Sequence, residues 1–443
     1  MSDYRDFFKD KKITLMGLGL LGRGVGDALF LSECGAHLTV TDLKTQEALQ
    51  SSLAQLEGLE NVTYVLGKHR EEDFTSADMV FKAAGVPHHC PYIEAAQKAG
   101  VPVYMSTALF ARFARERGVK IIGVTGTRGK STVTQLIYEG LKACKQPVHL
   151  GGNVRGTSTL SLLPDVKDGD YAVLELDSWQ LQGFAALKIS PDIAVFTNLM
   201  RDHMNYYKDD MKAYYEDKAA IFSNQGGENI LICGEEVFET IKKDVPVSKI
   251  IIEPELPSDW NLTLPGYHNR RNAAYALAAL KELGFEEEDL KEPFENYQGL
   301  EGRLFKIGER DGIVFYNDSN ATTPAATMAA LNSFEGEDIH LIVGGSDKGL
   351  ELEELAQAIK NKAASAVFLA GSGTEKLMPF FPEARVEQSM DGAFQYALQQ
   401  AGKGGIVLLS PGFASFGLFR NEYDRSDQFK ALANSFLKHG AAA

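Results

Sequence analysis

Residues 123–132, GVTGTRGKST, place a lysine and a pair of hydroxyl side chains at the end of a glycine-rich turn. The run leading into it, VKIIGVTG, is apolar enough for a strand, and after Lys130 the residues Val133, Leu136, Ile137 and Leu141 fall at helical spacing. A strand, a glycine turn and a helix in that order make a cradle for phosphate. Gly126 and Gly129 let backbone N–H groups approach oxygen atoms, the helix N-terminus adds partial positive charge, Lys130 reaches the terminal phosphates, and Ser131 can ligate Mg²⁺. The strict phosphate-loop motif has a glycine where this chain has Val124. The competing reading is a glycine turn that carries an exposed lysine.

A second glycine pattern, Gly17, Gly19 and Gly22 in LMGLGLLG, follows a strand-like run and precedes a helical one, and Asp42 ends HLTVTD 20 residues past Gly22. Such a turn holds a diphosphate at a helix N-terminus and places the carboxylate for a ribose hydroxyl. A dinucleotide cofactor, another nucleotide diphosphate and a purely structural tight turn all satisfy it. Three further residues can surround Lys130. Glu175 ends YAVLE and is placed to coordinate Mg²⁺ beside a phosphate loop. His203, in NLMRDHM, stands alone, as a solvated loop histidine would. Lys218 shares a helical face with Met211, Tyr214, Tyr215 and Phe222. Either desolvation lowers its pKa and makes it reactive, or its stem packs flat while its amine snorkels to water. In the last third, NDSNATTP, GGSDKG and SPGFASFG each follow a strand-like run. Asp318, Ser319, Thr322, Lys348 and Ser415 then face one crevice at the C-terminal ends of parallel strands, although caps and turns explain the same residue types.

The elements that must position these residues alternate short apolar runs with helix-period stretches, the pattern of parallel sheets covered by helices. KITLMGLG, HLTVTD, ADMVFKAAG and VPVYM read as strands of a first unit, residues 1–108; VKIIGVTG, YAVLELD, IAVFTN and NILICG as strands of a second, 109–299. After a linker around ENYQGLEGR, GIVFYNDS, IHLIVGG, AVFLAG and GIVLLSPG belong to a third, 300–443. A chain of 443 residues is too long for one core, which agrees with three domains of α/β class. With 44% apolar and 24% charged residues, it has the composition of a globular protein. A net charge of −15 argues against nucleic acid or an anionic membrane as partner, since both need a basic face. The cysteines Cys34, Cys90, Cys144 and Cys233 lie far apart without a CxxC pair, as free thiols of a reducing, cytoplasmic compartment would. KDKKITLMGLGLLG is not expected to be a signal peptide, because Asp3, Asp6 and Asp10 precede or interrupt its basic part and no small-residue cleavage site follows.

Taken in order, GVTGTRGKST, GGNV, LELDSWQL, TNLMRDHM, YYEDKAAIF, GYHNRRNAAYALAAL, GLEGR, NDSNATTP, GGSDK and SPGFASFGLF resemble the Mur ligases over most of the chain, and the leading GLGLLG…VTDLK unit resembles their glutamate-adding branch. The resemblance implies a Rossmann-like N-terminal domain that holds a uridine diphosphate sugar rather than NAD. It further implies a central phosphate-loop ATPase domain with a mostly parallel sheet, and a Rossmann-like C-terminal domain for the amino acid and ATP. Gly126, Thr127, Gly129, Lys130, Ser131 and Thr132 would contact ATP phosphates, Asn269 and Asn272 the adenine, and Arg303 and Asp318 the phosphates and ribose. Ser131 and Glu175 would serve one Mg²⁺, His203 and a carbamylated Lys218 a second. Gly17, Gly19, Leu20 and Asp42 would hold the uridine nucleotide, Asn153 would lie by the metals and the sugar nucleotide, Gln180 would contact the substrate, and Thr322, Lys348 and Ser415 would receive the amino acid.

The implied reaction spends ATP to phosphorylate the terminal carboxylate of UDP-N-acetylmuramoyl-L-alanine, after which the amine of glutamate attacks the acyl phosphate. A monomer is expected. The chain departs from the family pattern at Asn320 (usually lysine), Glu422 (usually aromatic), Asp177 (commonly serine) and Arg128 (frequently asparagine). Asn320 and Glu422 fall in segments assigned to the amino acid, so D-glutamate is the expected acceptor and L-glutamate or another amino acid the alternative. An NAD(P)-dependent oxidoreductase would use the first glycine turn but leave Lys130, Glu175 and Lys218 without work. A noncatalytic nucleotide-binding descendant would have no reason to keep those residues with Ser131 and His203.

Overall fold

The computed structural model describes residues 4–20, 22–87, 89–154, 156–246, 249–402 and 404–440. Three sheets carry the chain. The first contains β1 (Lys12–Met16), β2 (His37–Asp42), β3 (Val62–Leu66), β4 (Met79–Lys82) and β5 (Val103–Tyr104), in the order β3-β2-β1-β4-β5. The second contains β6 (Lys120–Thr125), β7 (Val148–Gly152), β8 (Tyr171–Glu175), β9 (Ile193–Phe196), β10 (Ile230–Cys233) and β11 (Lys249–Ile252), ordered β11-β10-β9-β6-β8-β7. The third contains β12 (Phe305–Arg310), β13 (Ile313–Asn317), β14 (Ile339–Gly344), β15 (Ala363–Leu369), β16 (Arg385–Glu387) and β17 (Gly405–Leu409), ordered β12-β13-β17-β14-β15-β16. Every pairing is parallel except the hairpin β12–β13. Central strands are apolar on both faces, as helices above and below a parallel sheet require; all six residues of β14 are buried.

The chain divides into two compact units, Met1–Leu256 with Asn272–Pro293, and Pro257–Arg271 with Phe294–Ala443. In the first unit one hydrophobic core serves both sheets. The helix Ser106–Glu116 follows β5 and inserts Phe110 and Phe113 among Tyr4, Phe8 and Phe30 on one side, while Leu174, Leu181 and Phe184 continue the same core under the second sheet. Fully burying a phenylalanine is worth roughly 1.5–3 kcal/mol, so this shared helix welds the two sheets. The second unit packs its sheet between two clusters, one around Leu341, Leu355 and Phe368, the other around Phe315, Phe394 and Phe429.

All twelve strands read from the sequence are present. Five more exist: β3, β7, β11, β12 and β16, each at a sheet edge. The four cysteines are free thiols, and among the described residues no helix is long and apolar enough to cross a membrane.

Candidate active site

β6 lies between β8 and β9, with Val124 paired to Glu175 and Thr125 to Phe196, so the turn that leaves β6 emerges beside the ends of both neighbours. Its glycines are dictated by contact. Gly126 has φ 143°, and a Cβ there would lie 1.9 Å from Thr197 Oγ1; Gly129 has φ 82°, and a Cβ would lie 2.3 Å from Asn272 Oδ1. Thr127 N–H donates to Asn198 O at 2.9 Å and Arg128 N–H to Asn198 Oδ1 at 2.8 Å, so two loop amides turn inward. The first turn of the helix Lys130–Ala143, where an α-helix leaves N–H groups without internal partners, adds amides suited to an anion. Arg128, in place of asparagine, has its guanidinium 3.9 Å from Asp202. Ser131 and Thr132 lie in that first turn, nearly buried.

Lys130 Nζ donates to Gly126 O (2.9 Å) and Thr127 O (3.1 Å). Lys218 Nζ donates to the same Gly126 O at 2.8 Å, with Thr125 Oγ1 at 3.4 Å. Two amines thus converge on one carbonyl. Lys218 is 1% exposed, so the snorkelling alternative fails. Burial first, then the Lys130 charge, push its pKa well below the ordinary lysine value, against the weaker pull of Asp177, Asp202 and Asp217. Tyr214, which shares its helical face, places its ring 4.9 Å from Nζ.

Glu175, 5% exposed, accepts Asn153 Nδ2 at 3.3 Å, while its carbonyl accepts Asn153 N–H at 2.7 Å. Gln180 presents its side-chain nitrogen to the Glu175 carbonyl (3.0 Å) and its oxygen to Asn153 N–H (3.3 Å). Asp177 caps the helix Ser178–Leu187, accepting Gln180 N–H at 2.8 Å. Serine and aspartate are alike as N-caps, which explains that departure. His203 begins a short helix at φ 56° with its ring 4.8 Å from Trp179. Among the described residues no group of three or more His, Cys, Asp and Glu side chains is arranged around a metal.

In the first sheet the strand order reverses between β1 and β4, where an open α/β sheet forms its crevice. Gly17 sits there against Ala83 at φ 96°, and a Cβ at residue 17 would lie only 2.9 Å from that of the alanine, too close for any side chain. Asp42 accepts Gly19 N–H (3.0 Å) and Lys44 N–H (2.9 Å), so its carboxylate also shapes the turn; Leu20 is 54% exposed. Arg23, the first residue of the helix Arg23–Glu33, donates to Asn153 Oδ1 at 2.9 Å. Asp27 accepts from Ser106 and Ser158, and burial raises its pKa. These contacts join the first glycine turn to the residue that holds Glu175. Sequence reasoning missed Arg23 and Asp27, and also Lys82, a buried lysine on β4 whose amine bonds Val86 O (2.6 Å) and whose pKa burial lowers to about 8.

In the second unit, Asp318 follows β13, accepting Leu304 N–H (3.0 Å) and Ser410 Oγ (2.8 Å). Lys348 Nζ donates to Thr322 Oγ1 at 3.0 Å, bringing together the loops after β13 and β14. The loop after β17 joins them through Ala414, which exchanges two hydrogen bonds with Ser346, and carries the buried Ser415. Arg303 lies in the turn before β12, its N–H on Leu300 O, and Asn269 donates to Pro265 O at 2.8 Å. Asn320 sits against Gly302, and Glu422 opens the helix Glu422–His439, where a carboxylate complements the macrodipole. Asn269 belongs to this unit, whereas Asn272 packs on Gly129 in the first.

Three family models match in order along the chain: "Mur ligase MurD-like, N-terminal domain" over 11–105, "Mur ligase middle domain" over 124–253, and "Mur ligase, glutamate ligase domain" over 302–413. The chain belongs to the Mur ligase family. A Borreliella afzelii protein named UDP-N-acetylmuramoylalanine--D-glutamate ligase is 34% identical over 97% of this chain and 99% of its own length; one of the same name from Treponema pallidum is 32% identical over 97% and 99%. Among solved structures, the UDP-N-acetylmuramate-alanine ligase of Thermotoga maritima shares the fold at TM-score 0.60 and 18% identity, covering 96% of this Mur ligase and 99% of that chain. The Thermotoga maritima MurF ligase, solved in complex with ADP, does so at TM-score 0.61 and 15% identity, covering 99% and 97%.

Proposed function

We propose that this Mur ligase joins D-glutamate to UDP-N-acetylmuramoyl-L-alanine at the expense of ATP, in the synthesis of peptidoglycan precursors. The observation that carries the reading is the full-length similarity to proteins of that name, with the MurD-like and glutamate ligase domains in order. The oxidoreductase alternative explains only the first of the three domains.

The substrate carboxylate attacks the γ-phosphorus of ATP, ADP leaves, and an acyl phosphate forms. The glutamate amine then attacks the acyl carbon, phosphate departs, and the amine proton is lost. Gly126, Thr127, Gly129, Lys130, Ser131 and Thr132 hold the phosphates, and Lys130 neutralises charge that builds on the transferring group. Releasing its amine from the Gly126 and Thr127 carbonyls aims it at that group. Asn272 beside Gly129, and in the second unit Asn269, Arg303 and Asp318, contact the nucleotide. Gly17, Gly19, Leu20 and Asp42 hold the uridine diphosphate, Asn153 and Gln180 the muramoyl end, and Thr322, Lys348 and Ser415 the amino acid.

The donor set suits Mg²⁺. Among the described residues, Glu175 is a buried carboxylate with one side-chain hydrogen bond, at 3.3 Å, which leaves lone pairs for a cation that Ser131 would also hold. Lys218 is a buried amine held toward its neutral form; neutral amines add CO₂, forming an N–C bond and releasing a proton, and the resulting carbamate with His203 would hold a second ion. Bound there, Mg²⁺ would offset charge on the phosphoryl oxygens. Residues 1–108, 109–299 and 300–443 act as the sugar-nucleotide, ATP and amino-acid domains of a cytoplasmic monomer. The test is phosphate release from ATP with UDP-N-acetylmuramoyl-L-alanine and a panel of amino acids. D-Glutamate alone should support it; turnover with L-glutamate or another amino acid instead would overturn the assigned acceptor, and oxidation of a nicotinamide would overturn the reaction.

A further inference from the structure

We propose that Arg425 is a positioning residue for the incoming amino acid, tying together the two loops that present Thr322 and Ser415. The proposal rests on the reading above, in which those loops receive glutamate. Arg425 lies in the first turn of the helix Glu422–His439 and is 0% exposed, the largest fully buried side chain described. Its Nη2 donates to Ser319 O at 2.8 Å, in the loop after β13; its Nη1 donates to Phe413 O at 3.2 Å, in the loop after β17. Thr322 stands three residues past the first contact and Ser415 two past the second. Ser426, the next residue, accepts Asn317 Nδ2 at 2.8 Å, fixing the root of the first loop to the same helix turn.

No carboxylate comes within ion-pair range of this guanidinium among the described residues, its Nε has no hydrogen-bond partner, and burial lowers its pKa to about 10. A buried cation drawn on only at longer range, by Glu422 and Asp318, is a poor choice for stability alone, since an apolar side chain of similar volume fills such space at lower desolvation cost. What methionine or leucine cannot do is bind two carbonyls from different loops with one planar fork, and lysine lacks the fixed geometry. The arginine therefore sets the separation of two loops whose side chains grip a small ligand, where a shift of about 1 Å is felt strongly. Neither Thr322 nor Ser415 touches Arg425 in the described contacts, so it acts through the loop backbones.

The test compares Arg425→Met and Arg425→Lys with the wild-type chain. The methionine variant should retain a cooperative melt while its KM for D-glutamate rises about tenfold and its KM for ATP by less, since Asp318 shares the first loop, with the KM for UDP-N-acetylmuramoyl-L-alanine within about twofold; the lysine variant should fall between. Amide exchange of 317–323 and 411–417 should quicken in the methionine variant while β13 and β17 keep their protection. An unchanged glutamate KM, all three KM values rising together, or unaltered loop exchange would overturn the proposal. If the methionine variant does not fold, the lysine variant is read by the same two measurements. A wild-type chain that refuses glutamate would sink the proposed function, and loop exchange would still decide whether Arg425 holds the loops.

Discussion

Lys218 shows what a buried amine costs and why it is tolerated. Its ammonium has no carboxylate within ion-pair range among the described residues, and it shares the Gly126 carbonyl with Lys130. A lysine whose folded pKa is depressed destabilises the fold wherever solvent would protonate it: its contribution is most favourable above the unfolded pKa and is lost as pH falls through the folded one. Lys218→Met should therefore melt higher than wild type in bicarbonate-free buffer, by more at pH 6 than at pH 9, while ligase turnover falls below detection. A lower melting temperature at both pH values would refute this account. Lys130→Ala should also abolish turnover, but its amine lies on the loop at half-burial and the melt should barely move; persisting phosphate release would remove Lys130 from the reaction. The apolar helical face that Lys218 shares was legible in the sequence because it repeats every three to four residues, whereas that pattern left open whether the amine is buried or reaches water. The meeting of its amine with Lys130 was not legible, since it depends on β6 and the helix Met211–Ala219 coming together across 92 positions.

The helix Arg23–Glu33 illustrates how an element can carry information between sites. Its first residue holds Asn153, which holds Glu175, and one turn later Asp27 takes hydroxyls from Ser106 and Ser158, residues 79 and 131 positions away. Gly26 leaves room for Ser158, since a Cβ there would stand 2.6 Å from the serine's own. Because burial raises the Asp27 pKa, the ionised form weighs against folding, and stability is lost as pH rises through the folded value. Asp27→Asn, which copies the neutral acid, should melt higher than wild type at pH 8, with the advantage shrinking toward pH 4. A deficit at every pH would mean that the carboxylate itself is needed. Such contacts leave no periodic trace in a sequence, and edge strands leave little. β3, β7, β11, β12 and β16 all went unread because an edge strand is covered on fewer sides and tolerates exposed or polar residues: two of the three residues of β16 and two of the five of β3 are exposed. Central strands, apolar throughout, announced themselves.

The chain passes between its two compact units three times, after Leu256, Arg271 and Pro293, which no composition shift marks. The segment Pro257–Arg271 belongs with the last third. Trp260 packs on Phe294 at 5.5 Å, and Asn261 N–H and Thr263 N–H bond Glu295 at 2.7 and 3.2 Å. Yet both core clusters of the third sheet are drawn from residues between Leu304 and Phe436, so neither needs that segment. About 140 residues with two cores of their own are enough for independent stability. A fragment of residues 300–443 should therefore give a cooperative melt by itself. Residues 1–299 should keep both of their sheets and slow amide exchange at Asn261 and Thr263, because Phe294 and Glu295, the partners of Trp260, Asn261 and Thr263, remain in that fragment. Neither fragment should release phosphate, because Lys130 is in one and Thr322, Lys348 and Ser415 in the other. A non-cooperative 300–443 would mean that the threaded segment is part of the third domain's folding unit, and the functional boundary would then lie before Pro257 rather than at residue 300.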